Sequence, residues 1–383
     1  MPSYWRIKLI GDTIKRKRTA INLTRLRKNI HAVMPMRTTD KTLILGTWNI
    51  RNFDNNRFKH GPRIEESYFY LAEMIHAFDV IAIQEINRNL RPLKKLMKTL
   101  GSNYEYIITD TTEGPSGNEE RLGFIYNKRK VSFQGVAGEV VLPDNKEIRD
   151  LEKNRQFART PYCCAFQSGW FKFMFATVHI YYGAAGKNTP QFKRRVKEIG
   201  TIAKFLAQRA GKDEYNYVLV GDFNITNYED ETYSGLDDHG FTVFKNKQGS
   251  NRDQTKFYDQ ISFKPREGEL RLGDSSNPHG VFDIFDSVFT DAQFKDYEPS
   301  VFATLKRRKS ALNAKLTKAK TDSKKASLNK QITAIVELEN NKAKRRNYYK
   351  KEWRTFQMSD HLPLWVELGI DFADDYLQTM RTS

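Results

Sequence analysis

Leu43-Ile44-Leu45-Gly46-Thr47-Trp48-Asn49 is an apolar run that stops on a polar side chain, the pattern of a buried strand. The same arrangement recurs along the chain. Ile83-Gln84-Glu85 closes a strand over 79–83, and Val178-His179 closes one that starts at Phe171. Val220-Gly221-Asp222-Phe223-Asn224 closes one over 217–222. Ser359-Asp360-His361 immediately precedes a last strand over 362–368. Further strands are expected at 121–126, 161–166, 257–263 and 281–289. Between them, Pro62 opens a helix with Ile64, Tyr68, Leu71, Ile75 and Phe78 on one face, and Thr189-Pro190 opens another with Phe192, Val196, Ile199, Ala203 and Leu206. Alternating strands and helices with hairpin-like pairs predict an α/β sandwich.

Two segments lie outside that pattern, and both are basic. Residues 1–40 carry ten Lys/Arg against two Asp, and residues 301–351 carry sixteen against three acidic residues, whereas the chain as a whole has a net charge of +18. The remainder is therefore mildly acidic, and the positive charge sits on appendages. Such charge suits a polyanion, either nucleic acid or an anionic membrane surface; it also suits a solvated helix face. Residues 1–40 read as a basic helical arm, with Ile21, Leu23, Leu26, Ile30 and Val33 at helical spacing before Pro35. In 301–351, Phe302, Leu305, Leu312, Leu316 and Ala319 form a heptad-like stripe that Leu328, Ile332, Ile335 and Leu338 continue after Thr321-Asp322-Ser323. That trio can end one helix and cap the next, so an antiparallel, coiled-coil-like hairpin projecting roughly 30 Å is expected. The resulting division is an arm (1–40), a catalytic domain (41–300 and 352–383) and a helical-hairpin insertion (301–351).

The only cysteines, Cys163 and Cys164, are adjacent and offer neither a long-range disulfide nor a metal-binding spacing. No apolar run reaches the roughly 18 residues of a spanning helix, and Arg6 and Lys8 exclude a secretory leader at the start. The chain reads as soluble and cytoplasmic, with no transmembrane segment.

The strand ends carry the chemistry. Asn49, Glu85, Asp222, Asn224 and Asp360 are hard oxygen donors of the kind Mg²⁺ prefers, and His179 and His361 can move protons. Taken singly, each has a plain structural reading: Gly-Asp-Phe-Asn as a turn, Ser-Asp-His as another, His179 as a core histidine, Glu85 as a partner of Arg88. Their joint placement at strand ends, which converge at one rim of a sandwich, favours a single site.

The ordered series TWNIR (47–51), IQEI (83–86), ERLGFIY (120–126), ARTP (158–161), TVHI (177–180), VGDFNI (220–225), YDQI (258–261) and SDHLPL (359–364) resembles the endonuclease/exonuclease/phosphatase superfamily, most of all its DNase I-like branch. The resemblance covers about 43–290 and 357–370 and leaves out the arm and the hairpin. It implies a DNase I-like four-layer sandwich, two packed mixed β-sheets flanked by helices, and a Mg²⁺-dependent phosphodiesterase, with Mn²⁺ able to substitute. It implies Glu85 as principal metal ligand, with Asn49, Asp222, Asn224 and Asp360 holding metal and scissile phosphate. His361 oriented by Asp259 would activate or position water, His179 paired with Glu120 would protonate the leaving oxygen, and Arg159 would contact phosphate. His179 together with ERLGFIY favours a DNA endonuclease, with nucleic acid as partner through the basic appendages. The alternatives are a phospholipid or inositol phosphate phosphodiesterase or phosphatase at an anionic membrane, and a nuclease subunit that docks a protein partner or another copy through 301–351.

Overall fold

The computed structural model describes residues 1–53, 56, 58–112, 119–142, 157–184 and 186–382. Among these residues the strands are β1 (Thr42–Phe53), β2 (Val80–Asn87), β3 (Tyr104–Ile108), β4 (Glu120–Asn127), β5 (Ser132–Glu139), β6 (Tyr162–Ser168), β7 (Phe171–His179), β8 (Asn216–Asp222), β9 (Thr242–Val243), β10 (Asp259–Lys264), β11 (His279–Val281) and β12 (Leu364–Gly369). The α-helices are α1 (Thr13–Val33), α2 (Glu65–His76), α3 (Arg91–Leu100), α4 (Pro190–Ala210), α5 (Glu231–Asp237), α6 (Phe294–Thr317), α7 (Asp322–Asn340), α8 (Lys342–Tyr348) and α9 (Ala373–Thr382).

The strands make two six-stranded sheets, ordered β11-β12-β1-β2-β4-β3 and β5-β6-β7-β8-β10-β9. Each has one parallel pair at its centre, β1–β2 or β7–β8, with antiparallel neighbours outside it. The inner faces pack on each other through aromatic rings: Phe124 of β4 lies 5.8 Å from Tyr162, 5.8 Å from Phe166 and 4.9 Å from Phe175 of the opposite sheet. The outer face of the first sheet is covered by α1, α2 and α3, and that of the second by α4 and α5. Strand β2 is therefore apolar on both sides, with Val80, Ile81, Ala82 and Ile83 all buried. The expected α/β sandwich of two packed mixed sheets flanked by helices is the observed architecture.

This topology brings the strand ends that carry the expected site residues to one rim. The parallel strands β1, β2, β7 and β8 end at one rim, and their antiparallel neighbours β4, β6, β10 and β12 begin there. Register confirms it: Glu120 pairs with Asn87, Tyr162 with Thr177, Asp259 with Asp222, and Leu364 with Thr47.

Several expected boundaries move. The strand expected over 281–289 ends at Val281, because Asp283 Oδ1 accepts from the Phe285 backbone N–H at 2.8 Å and starts a 3₁₀ turn. The helix expected from Pro62 starts at Glu65. The hairpin helix starts at Phe294, and Thr321 caps its second arm by accepting from Lys324 N. Tyr297, Val301, Leu305 and Ile335 of the hairpin join the main core, so its base is packed and its far end exposed. Helix α1 is also packed: Leu23, Leu26 and Ile30 are buried, Arg18 and Arg27 pair with Glu66 and Glu73 of α2, and Asn22 donates to Tyr297 Oη at 2.9 Å. These arginines serve packing between helices. Cys163 and Cys164 are both buried and free, and burial pushes each thiol up to about 12. No helix among the described residues is long and apolar enough to cross a membrane.

Candidate active site

The rim brings Asn49, Glu85, Glu120, Arg159, His179, Asp222, Asp259 and His361 into one connected network. Asn49 is its hinge. Its side-chain amide donates to Glu85 Oε1 and to Asp222 Oδ2, both at 3.0 Å, which ties the two sheets together at this rim. The Asn49 side-chain carbonyl is buried and has no hydrogen-bond partner. A buried acceptor left open beside two carboxylates is a costly arrangement for a protein by itself, and it fits an oxygen-coordinated hard cation.

Asp222 sits between the two histidines. His179 Nε2 is 3.5 Å and His361 Nε2 3.7 Å from the same oxygen, Asp222 Oδ2. Each histidine has its own carboxylate behind it: Glu120 Oε2 is 3.3 Å from His179 Nδ1, and Asp259 Oδ2 is 2.7 Å from His361 Nδ1. The contact to Glu120 is an ion-pair distance with no hydrogen-bond geometry, since His179 Nδ1 has no hydrogen-bond partner, whereas the contact to Asp259 is a hydrogen bond. Arg159 donates from Nε to Glu120 Oε2 at 2.6 Å.

The electrostatics follow from this crowding. Burial raises the Glu85 carboxyl above the usual carboxylate range, and the like charges of Glu120 and Asp360 add to it. Burial also acts to raise Glu120, but His179 and Arg159 outweigh it and hold that carboxyl down at about 2. For His361, burial works against protonation and is overcome by Asp259 and Asp222, which raise the imidazole well above its usual range. Asp222, Asp259 and His361 also offer ligand atoms within 4.8 Å of one another, but Asp259 Oδ2 is already bonded to His361 Nδ1, which favours a positioning role for that carboxylate.

Local backbone geometry aims these groups. The β1–β2 ladder shifts register between Asn49 and Phe53, and the β2–β4 ladder between Ile83 and Ile86, so Glu85 occupies a bulge, with φ of +60°. Its Oε2 accepts the Asn52 backbone N–H at 2.6 Å. At the end of β8, Gly221 has φ of +130°, and a Cβ there would lie 2.1 Å from the Val178 carbonyl oxygen, so no other residue fits between β7 and β8. Asn224 then turns back with φ of +54°; its backbone N–H donates to Asp222 Oδ1 and its side chain to Ile180 O.

Asp360 is the outlying member of the expected set. Its carboxylate is 38% exposed and lies 3.3 Å from Arg51 Nε, on the outer side of the rim. Sequence reasoning gave no role to several residues that build the site. Ser359 Oγ donates to Asn49 O at 2.6 Å and accepts from the backbone of Arg51 and His361, so the first residue of Ser-Asp-His clamps β1 to the His361 loop. Gln84 donates to Thr47 and Thr177 hydroxyls across the sheets. Arg195, fully buried on α4, donates to Asn224 O at 3.1 Å and Ala184 O at 3.0 Å, and its helical position alone carries no signal of this.

No family model and no curated protein matches this chain. Solved structures do. An endonuclease/exonuclease/phosphatase family protein from Bacteroides thetaiotaomicron is 18% identical, over 63% of this chain and 87% of that one, with a TM-score of 0.47. The mannosyl-6-phosphatase Bt3783 of Bacteroides thetaiotaomicron VPI-5482 is 19% identical, over 63% and 90%, with a TM-score of 0.46. D. rerio TDP2, complexed with single strand DNA product, is 13% identical, over 86% and 99%, with a TM-score of 0.45. The family named for the first of these is the one that the motif series resembles.

Proposed function

We propose that this chain is a Mg²⁺-dependent phosphodiesterase of the endonuclease/exonuclease/phosphatase superfamily that hydrolyses nucleic acid, with DNA as its principal substrate and Mn²⁺ able to replace Mg²⁺. The observation that carries the reading is the pair of histidines whose Nε2 atoms lie 3.5 and 3.7 Å from one Asp222 oxygen, each backed by a separate carboxylate. Phosphodiester hydrolysis needs a proton acceptor and a proton donor on opposite sides of phosphorus, and this layout supplies both around an anionic centre.

Glu85, Asp222, Asn49, Asn224 and Asp360 would hold the cation and the scissile phosphate. When bound, the cation neutralises charge on the phosphate oxygens and acidifies a bound water. His361 Nε2 takes the proton of the attacking water, and Asp259 at Nδ1 fixes the ring and its tautomer. His179 Nε2 delivers a proton to the leaving oxygen, with Glu120 stabilising the imidazolium, and Arg159 meets the phosphate while holding Glu120. The unpartnered Asn49 carbonyl and the raised Glu85 carboxyl are the features of this chain that fit such an ion.

Incubating the full chain with supercoiled plasmid, structured RNA and phosphoinositides, each with Mg²⁺ and with EDTA, tests the substrate class. Nicking or cutting of the plasmid with Mg²⁺ alone is the expected result. Release of phosphate from phosphoinositides with intact nucleic acids would replace the nuclease reading with a lipid one.

A further inference from the structure

A cavity of about 310 Å³ opens between residues 58–60, just beyond β1, and the hairpin helices α6 and α7. Among the described residues its wall carries Lys59, Arg308 and Lys315 with Phe58, His60 and Gln331, and no carboxylate. Some cations of the hairpin and its base are matched, Lys309 with Glu339, Lys344 with Glu337, Arg345 with Glu298, and Lys350 and Arg354 with Asp291, while others, such as Lys306, Lys318 and Lys330, pair with no carboxylate among the described residues and do not line this cavity. Arg308 meets the Tyr348 side chain, through its hydroxyl at 3.3 Å and its ring, and among the described residues Arg308, Lys59 and Lys315 pair with no carboxylate. Arg308 and Lys315 lie seven apart on α6, on one face.

Beside these cations stands an aromatic platform. His60 stacks on Phe356 at 4.4 Å with planes 6° apart, and Phe58, half exposed, lies 6.1 Å from the same Phe356 ring. Burial, then the charges of Arg308 and Arg51, hold His60 down at about 3, so it adds no charge; Tyr348 also holds this ring, its hydroxyl 2.8 Å from Nδ1 and its ring 5.7 Å away. The platform reaches the catalytic rim through Arg51, whose guanidinium lies 3.8 Å from the Phe356 ring centre and whose Nε is 3.3 Å from Asp360.

We propose that this cavity is a second substrate-binding site that takes an unpaired nucleotide of the nucleic-acid strand flanking the scissile phosphate, its phosphates on Lys59, Arg308 and Lys315 and its base against Phe58, beside the His60–Phe356 stack. The inference rests on the nuclease reading above. Cations along a groove with aromatic faces beside them are what sequence-tolerant single-strand binding requires. A volume near the low end of small-molecule pockets, roughly 300–1,000 Å³, admits one nucleotide and excludes a duplex. A lipid surface is disfavoured, because the concavity is small and Val336 is the one large apolar side chain exposed along α6 and α7.

The test is fluorescence anisotropy of a labelled single strand of about 12 nucleotides with the full chain in EDTA, where no turnover intervenes. Two variants are compared with wild type, Arg308→Gln/Lys315→Gln and Phe58→Ala, each checked for unchanged thermal unfolding. The double variant raises Kd about tenfold and flattens the dependence of log Kd on log salt by roughly 1.4, two contacts at about 0.7 each; Phe58→Ala raises Kd about tenfold as well. Values within twofold of wild type, or no strand binding by wild type, would overturn the proposal. So would loss of binding to phosphatidylserine vesicles in these variants with strand affinity intact. If the chain cuts plasmid while both variants bind the strand as wild type does, the cavity assignment alone fails. If the strand binds through these residues but no nucleic acid is hydrolysed, the catalytic reading alone fails.

Discussion

Glu85→Gln lowers phosphodiester turnover by about three orders of magnitude at saturating Mg²⁺, the loss of roughly 4 kcal/mol of charge stabilisation at about 1.36 kcal/mol per tenfold. The substitution keeps the volume of the side chain and an oxygen for the Asn52 backbone N–H, so the change is mainly one of charge. The same variant, metal-free, unfolds at a higher temperature than wild type. The sign follows from the raised Glu85 carboxyl: its folded pKa lies above the unfolded value, so ionisation is disfavoured in the fold, and stability is lost as pH rises from the unfolded pKa to the folded one. Removing that charge at neutral pH removes the penalty. Kinetics with calorimetric unfolding in EDTA checks both parts; a metal-free Glu85→Gln protein that melts below wild type would show that Glu85 serves the fold and not an ion.

The second large effect belongs to the His361–Asp259 pair. His361→Ala lowers turnover by about 10²- to 10⁴-fold, the usual range for a lost proton-transfer group. Asp259→Asn is more informative, because it keeps the shape and removes the charge that, with Asp222, raises His361 against the effect of burial. With His361 as proton acceptor, activity appears as the ring loses its proton, so the acid limb of the kcat/KM profile reports its pKa. Without the Asp259 charge that pKa falls, the limb moves to lower pH, and the plateau drops because the ring loses its orientation. An acid limb left in place in Asp259→Asn would mean that His361 does not take the proton.

Much of this site could be read from sequence because its residues stand at strand termini. Apolar runs ending in Asn49, Glu85, His179 and Asp222 identify parallel strands finishing at one rim, and Asp259 and His361 precede or open antiparallel strands that begin there. What escaped the sequence has no periodic signature. Strand β5 is exposed along its whole length and exists through its pairing with β6, so no alternation marks it. Strand β3 is an edge strand of five residues. Residues 1–40 read as a basic helical arm, and the packing of α1 on α2 had no sequence signal because Glu66 and Glu73, the partners of Arg18 and Arg27, lie some fifty residues away. Ser359 was visible as part of a motif, yet its task, clamping the β1 backbone through Asn49 O, depends on a contact across 310 positions.

The division of labour between core and insertion follows from the same facts. The sandwich concentrates carboxylates at its rim, a charge that a bound cation would offset while drawing in a phosphate. The hairpin leaves Arg308 and Lys315 unmatched by carboxylates near that rim, where a polyanionic strand would extend. Stability of the hairpin base comes from Tyr297, Val301 and Leu305 in the main core, so its exposed cations are not needed to hold it in place.

The most direct test is titration of the metal-free chain with Mn²⁺ followed by electron paramagnetic resonance. Saturable binding that Mg²⁺ displaces, and that Glu85→Gln and Asp222→Asn each weaken by tenfold or more, is the predicted result. Absence of saturable binding, or binding that both substitutions leave intact, would contradict a cation-centred site at this rim.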